Sequence, residues 1–325
     1  MPGLRQPLSA HIQQIRNDLR ERYKGGFPIL KELLQNADDA GGGAPGASAS
    51  EMVLLLAPGI PNSRHVLLQT PGLCLLNNGD FTAGDAISIS SYGSSNRGSQ
   101  SATVGRFGLG LKSVFHWAEA FFYFSPAHFA EPGDGCPPSD LLHPWISRET
   151  GLGFHKDWDQ QWADSKEHDH AQFEAIARAL LKSERWFGLW IPFRAKSLLN
   201  GVEPVLPEWP LGTDGQGASY ESLFGADWEQ RVSEVLPLLR RLRRIRFCRQ
   251  AAGGVEEGLA LSVEEPSRRM SFLVGNGHEF QPGPAGLDGK VSARKGVWAA
   301  EAVSFAGIEK LPGMANAAQI GRAHV

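Results

Sequence analysis

The chain has little of what marks a secreted, membrane-spanning or metal-cluster protein. Three cysteines occur in 325 residues, Cys74, Cys136 and Cys248, odd in number and widely spaced. They exclude a disulfide framework and a closed zinc site, and fit reduced thiols in a cytoplasmic protein. No apolar run reaches the roughly 18 residues a membrane helix needs. The opening MPGLRQPLSAHIQQI lacks the apolar core of a signal peptide, so export is not expected. Neither sign of charge dominates: 32 basic side chains against 35 acidic give a net charge of −3. That excludes a surface devoted throughout to nucleic acid and leaves a local basic patch open. The 38 glycines and 21 prolines fall short of the share, roughly 25–30%, that marks low complexity. No internal repeat is seen.

What is present is an ordinary globular composition, 42% apolar and 21% charged, in a length that suits two domains or one large domain with appendages. The terminal Gln319–Val325 resembles translated short-read adapter sequence (ATC GGA AGA GCA CAC GTC for Ile320–Val325) and is set aside; the natural protein is expected to be longer. Apolar spacing predicts a helix over Ser9–Tyr23 and a second from about Pro28 to Ala40, broken by the glycine run Gly41–Gly43. The second buries Ile29, Leu30, Leu33, Leu34 and Ala37, and carries Glu32, Asn36 and Asp39 on its other side. Strands are predicted at Met52–Ala57, His65–Gln69, Leu73–Leu76, Ala120–Ser125 and Trp186–Arg194, with a helix over Phe81–Ser91. Pro126–His170 has no sustained period and reads as a loop-rich insert before a helix over Ala171–Glu184. Lys196–Gly225 reads as a further loop. Asp227-x-x-Gln230 is a capping box for a basic helix running to about Arg244, kinked at Pro237. Strands at Ile245–Cys248, Gly258–Val263 and Met270–Val274 open a further unit. The expected division is therefore a domain over 1–250 with its insert at about 126–170, and a truncated second region over 251–318.

Three pieces carry chemistry. The first is Glu32-x-x-x-Asn36-x-x-Asp39-Ala40 on a helix. The second is the strand-end turn Asn77-Asn78-Gly79-Asp80-Phe81-Thr82. The third is Gly105-Arg106-Phe107-Gly108-Leu109-Gly110 at a helix start, preceded by the polar loop Gly93–Thr103. The glycine turn exposes backbone N–H groups, and the helix after it adds its positive end, which suits phosphate. Asn36 offers an amide oxygen to Mg²⁺, a hard cation that prefers oxygen. Glu32, one turn earlier, offers a carboxylate able to orient and deprotonate a water. The loop can close over the site and exclude solvent. Taken singly, each piece also reads as a solvated helix face or an ordinary loop. A Walker A loop is excluded, because the lysine of G-x-x-x-x-G-L-K-S falls one residue too late, and no dinucleotide-binding G-x-G-x-x-G is present.

Together the pieces resemble the GHKL ATPase superfamily of gyrase B subunits, ninety-kilodalton heat-shock chaperones, MutL, MORC proteins and histidine kinases. The resemblance is closest to the N-terminal ATPase module of sacsin and its bacterial relatives. ILKELLQNADDAGG and VGRFGLGLKSVFH resemble that branch's two signatures, and LCLLNNGDFT stands at its middle motif. The resemblance implies an α+β fold, the two-layer Bergerat sandwich of helices on a mixed, mainly antiparallel sheet, holding ATP beneath a lid. By position it implies Glu32 as general base and Asn36 as Mg²⁺ ligand, with Asp39 and Ala40 bordering the pocket. Gly105, Arg106, Phe107, Gly108 and Gly110 would frame the phosphates. The lid would begin at Gly93 and Ser94. Lys112 either reaches a phosphate, as in the MORC motif, or faces solvent.

Two departures stand out. The adenine-reading aspartate falls at Asn78, or at Asp80 after a short shift, and the threonine of the strand backing adenine is Leu189. An asparagine accepts a hydrogen bond without charge assistance. The expected activity is slow hydrolysis of ATP to ADP and phosphate, a switch acting on a downstream domain or a protein client, chaperone-like or defence-related. The alternatives are a non-hydrolysing nucleotide-binding scaffold, or a MORC/MutL-like ATPase engaging nucleic acid through Lys112 and Arg240–Arg246. Beneath those arginines Leu236, Leu239, Leu242 and Ile245 recur every three residues, the pattern of an amphipathic helix with a basic outer face. Glu167-His168-Asp169-His170, with His155 and His143, reads as a solvated loop before a helix, with metal binding as its alternative.

Overall fold

A computed structural model describes residues 15–17, 19–21, 25–39, 48–82, 85, 89, 111–126, 137–143, 156–199, 204–206, 217–252, 254–263, 272–274, 278–280, 291–295 and 306–307, the last four segments as backbone alone. In chain order the elements are helix α1 (Phe27–Asp38), strands β1 (Glu51–Ala57) and β2 (Gly72–Asn77), a 3₁₀ turn (Leu111–His116), and strands β3 (Phe121–Phe124) and β4 (Ser139–Leu142). The long helix α2 (Lys156–Leu181), strand β5 (Phe187–Pro192), and helices α3 (Tyr220–Phe224) and α4 (Trp228–Val235) follow. Strands β6 (Arg244–Ala251), β7 (Gly254–Val263), β8 (Phe272–Val274), β9 (His278–Phe280), β10 (Val291–Lys295) and β11 (Ala306–Gly307) complete the set.

Nine strands form one mixed sheet in the order β11-β10-β7-β6-β1-β2-β5-β3-β4, while β8 and β9 pair separately. Every neighbouring pair is antiparallel except β1 with β6, whose register starts at Glu51 opposite Arg244. The sequence explains the central place of β1. EMVLLLA is apolar on both faces, as a strand covered on both sides must be. Met52, Leu54 and Leu56 enter one core, and Val53, Leu55 and Ala57 the other.

The first core is the expected helix-on-sheet sandwich. Helix α1 starts where Gly26 takes φ +90°, a backbone that glycine accepts without strain, and Pro28 sits in its first turn. It buries Ile29, Leu30, Leu33, Leu34 and Ala37, the five predicted positions, plus Phe27 and Asp38. Each large apolar side chain contributes about 1.5–3 kcal/mol. The Leu111–His116 turn, α3 and α4 lie around it.

The second core corrects the reading of the insert. Residues 156–170 are not a loop; they are the first half of the 26-residue helix α2, which lies across the other face of β1, β2 and β3. Its inward stripe is Trp158, Trp162, Ser165, Asp169, Phe173, Ala177 and Leu181. Two of those seven are polar, and this hid the helical period. Glu167–His170 therefore lies in mid-helix, with Asp169 fully buried.

Three smaller expectations also change. His65–Gln69 is a tight turn and not a strand, held by the Asp169 carboxylate, which accepts the Arg64 and His65 N–H groups at 2.7 and 3.0 Å. The basic helix stops at Val235; a 3₁₀ turn over Leu236–Leu238 follows, and the chain is already strand at Arg244. Leu236, Leu239, Leu242 and Ile245 are buried all the same, but from the 3₁₀ turn, the irregular chain after it and the start of β6. Asp227 makes no side-chain cap; its carboxylate takes Arg231 at 2.7 Å, and the capping box lies at Ser219 and Ser222. The predicted helices at Ser9–Tyr23 and Phe81–Ser91 fall largely outside the described residues.

Candidate functional site

Helix α1 carries the first group. Glu32 is half-buried, and desolvation raises its carboxyl above the ordinary value near 4.5, with Lys31 working in the opposite direction. Asn36, one turn on, is exposed, and Asp39 is half-buried. Both faces of the helix are thus settled: apolar residues seat it on the sheet, leaving Glu32 and Asn36 away from the core.

The second group is the turn after β2. Asn77 is 2% exposed and its side-chain oxygen accepts the Gly79 N–H at 2.9 Å, which fixes the turn. Asn78 is turned toward β1. Its Oδ1 accepts the N–H groups of Ser50 and Glu51 at 2.8 and 2.9 Å, and its Nδ2 donates to Ser50 Oγ at 2.9 Å. Asp80 is placed differently. Its Oδ2 lies 3.6 Å from Arg185, while its Oδ1 is buried and, among the described residues, accepts no hydrogen bond. Beside it Phe81 stacks on Phe187 with centroids 4.6 Å apart. Leu189 is buried in the helix-side core, opposite Leu75 and Tyr123 in neighbouring strands.

The third group is described only from Leu111 onward. Gly93, Ser94, Gly105, Arg106, Phe107, Gly108 and Gly110, like Ala40, lie outside the described residues. Lys112 is half-buried in the 3₁₀ turn Leu111–His116, which packs against α1. A buried ion pair fastens the end of that turn. Arg194 Nε donates to Glu119, its Nη2 donates to the Phe115 carbonyl at 2.8 Å, and its backbone N–H meets the Trp117 carbonyl at 2.7 Å. Glu119 also accepts the Val205 N–H, and Arg16 donates to the Pro204 and Val205 carbonyls at 2.8 and 2.7 Å.

Sequence reasoning passed over Asp38, Glu119 and Arg194. Their only signal was polarity at positions that the pattern required to be apolar. Of the histidines that suggested a metal, His168 and His170 each donate from Nε2 to a carbonyl, of Asn62 and Ser125, at 2.8 Å; His155 lies outside the described residues. Among the described residues no three His, Cys, Asp or Glu side chains gather as a metal site. In the basic segment Arg246 pairs with Glu51 at 2.7 Å and Glu257 at 3.7 Å, and Arg244 lies 4.0 Å from Glu51. Among the described residues no helix is long and apolar enough to cross a membrane.

The profile of the Sacsin domain matches residues 6–196. The chain belongs to this family. Human sacsin aligns with it over 120 residues at 32% identity, which is 35% of this chain and 2% of the human protein. The chain thus spans a small part of that relative's length. The Sacsin-domain match takes in α1, the Asn77–Asp80 turn, the Leu111–His116 turn, Glu119 and Arg194. Residues 240–251 and the strands after them lie beyond it.

Proposed function

We propose that this Sacsin domain binds Mg-ATP in a GHKL-type pocket and hydrolyses it slowly, as a switch acting on a downstream domain or a protein client in the cytoplasm. The observation that carries the reading is the Asp80 carboxylate. A buried acceptor oxygen with no donor costs roughly 1–3 kcal/mol, and an exocyclic amino group of adenine is a donor that would relieve it. The same observation supports Asp80 over Asn78 as the base reader, since the Asn78 oxygen already accepts two backbone N–H groups. Phe81 and Phe187 supply an aromatic wall beside it.

Asn36 would hold Mg²⁺ against the phosphates, and Mg²⁺ supplies charge neutralisation there when bound. Glu32 would take a proton from water as the water oxygen attacks the γ-phosphorus and the bond to the β–γ bridging oxygen breaks, leaving ADP and phosphate. Its raised carboxyl suits a base, since a stronger base accepts the proton more readily. Turnover should then fall with decreasing pH through a value above the ordinary 4.5, because protonated Glu32 cannot accept. The glycine-turn residues and Lys112 enter on the sequence resemblance, as the phosphate cradle.

Calorimetry of Mg-ATP on the full chain tests this. Binding is expected in the wild type, lost in Asn36→Ala and strongly weakened in Asp80→Asn. Glu32→Gln should bind and not turn over. A wild type that binds and shows no turnover would make this a non-hydrolysing switch, and no binding at millimolar ATP would end the nucleotide reading.

A further inference from the structure

We infer that residues 240–244 form a strap that sets the distance between the two halves of this site, with Asp38 and Asn78 as the positioning residues at its ends. The inference rests on the nucleotide reading above only for its effect on ligand binding. Its geometry stands without it.

Asp38 breaks two local rules. It is the last residue of α1, where a negative charge opposes the helix dipole, and it is 7% exposed. Three consecutive backbone N–H groups compensate. Arg241 and Leu242 donate to Oδ1 at 2.7 and 2.8 Å, and Arg240 donates to Oδ2 at 2.9 Å. The next two, of Arg243 and Arg244, both donate to the Ser50 carbonyl at 2.8 and 3.1 Å. Every backbone N–H from 240 to 244 is thus spent on one of two anchors, the end of α1 or the residue before β1.

The second anchor leads straight to the base-reading turn. The N–H groups of Ser50 and Glu51 are the pair held by Asn78 Oδ1, and the Asn78 N–H returns to the Glu51 carbonyl at 3.2 Å. Asn36 lies two residues before Asp38, and Asp80 lies two residues after Asn78. One continuous set of hydrogen bonds therefore spans from the helix of Glu32 and Asn36 to the turn of Asp80, through backbone that enters β6 and then pairs in parallel with β1. The strap lies beyond the Sacsin-domain match. Chain downstream of residue 240 can thereby act on both halves of the site at once.

Asp38→Asn on the full chain tests the strap, because it keeps the shape and replaces one acceptor oxygen with a donor that faces backbone N–H groups. Amide hydrogen exchange is read at 240–244 and, as the decisive readout, at 50–51 and 77–80. Calorimetry with ATP is run with Mg²⁺ and with EDTA. Faster exchange is expected at all three segments, and the gain in affinity from Mg²⁺ should shrink. A merely weakened fold would lower affinity equally with and without Mg²⁺. Asn78→Ala frees the other end and should speed exchange at 240–244, whereas Asn78→Asp retains the accepting oxygen and should not. This pair carries the comparison if Asp38→Asn does not fold. The inference is overturned if Asp38→Asn speeds exchange at 240–242 and leaves 77–80 as in the wild type. It is equally overturned if the wild type gains affinity from Mg²⁺ and the variant keeps that gain. If the wild type binds no Mg-ATP, the nucleotide reading falls, and the exchange comparison still decides the strap.

Discussion

The Glu119–Arg194 pair invites the sharpest energetic test, because both side chains are almost completely buried, at 5% and 3% exposure. Glu119→Leu leaves the guanidinium inside without the carboxylate that Nε donates to, and strips the Val205 N–H of the two Glu119 oxygens it donates to. Breaking a buried pair in this way costs about 3–5 kcal/mol, since the surviving charge stays desolvated. Arg194→Met should cost a similar amount by the mirror argument. The double variant removes both charges together, and buried pairs replaced by apolar side chains are often close to neutral. Its cost should therefore fall well below the sum of the two single costs, by about 2 kcal/mol or more. Urea unfolding followed by circular dichroism measures all three, by the shift of midpoint at constant slope. Two results would refute the reasoning: a single substitution costing under about 1 kcal/mol, the range of an exposed pair, or a double variant costing the full sum. Because Arg194 also holds the Phe115 carbonyl, the single variants should loosen the turn that carries Lys112.

Two further outcomes concern the face covered by α2. A Cβ on Gly188 would stand 2.3 Å from the Phe173 ring, which itself stacks on Phe124 at 4.0 Å, so Gly188→Ala should cost about 1–3 kcal/mol in urea unfolding, and Phe173→Leu in the same chain should recover part of it. His65 is fully buried, with Nδ1 accepting the Leu67 N–H and Nε2 donating to the Trp158 carbonyl, and burial holds its pKa below the ordinary 6.5. The unfolded chain then takes up a proton that the folded chain refuses, so the His65 contribution is complete above about pH 6.5 and is lost as pH falls from there toward the lowered folded value. Urea midpoints at pH 7.5 and 5.5 should diverge in the wild type and converge in His65→Gln; equal divergence in both would place the titration elsewhere.

The placement of Glu32 and Asn36 was legible because it is local. Glu32 and Asn36 are one turn apart on a helix whose five apolar positions point the other way, and 3.6-residue periodicity states that without any tertiary knowledge. The apolar runs at 51–57, 72–77 and 187–192 likewise announce buried strands, and the chain's membership of the Sacsin family is carried by motifs within 6–196. Such features survive in sequence because each is satisfied by neighbours along the chain.

What only the tertiary structure decided is where polar groups find distant partners. Asp169 looks like a reason against a buried helix until the amides of Arg64 and His65 are seen on its carboxylate, over a hundred residues away in sequence. Leu239, Leu242 and Ile245 repeat every third residue as though on a helix, yet the N–H groups of 240–242 belong to Asp38 and those of 243 and 244 to Ser50. Asn78 and Asp80 are both candidates by spacing; the fold gives the Asn78 oxygen two backbone N–H groups and, among the described residues, gives Asp80 Oδ1 no donor. Periodicity records which residues are buried. It does not record which backbone groups are left over, and a buried carboxylate goes wherever those are.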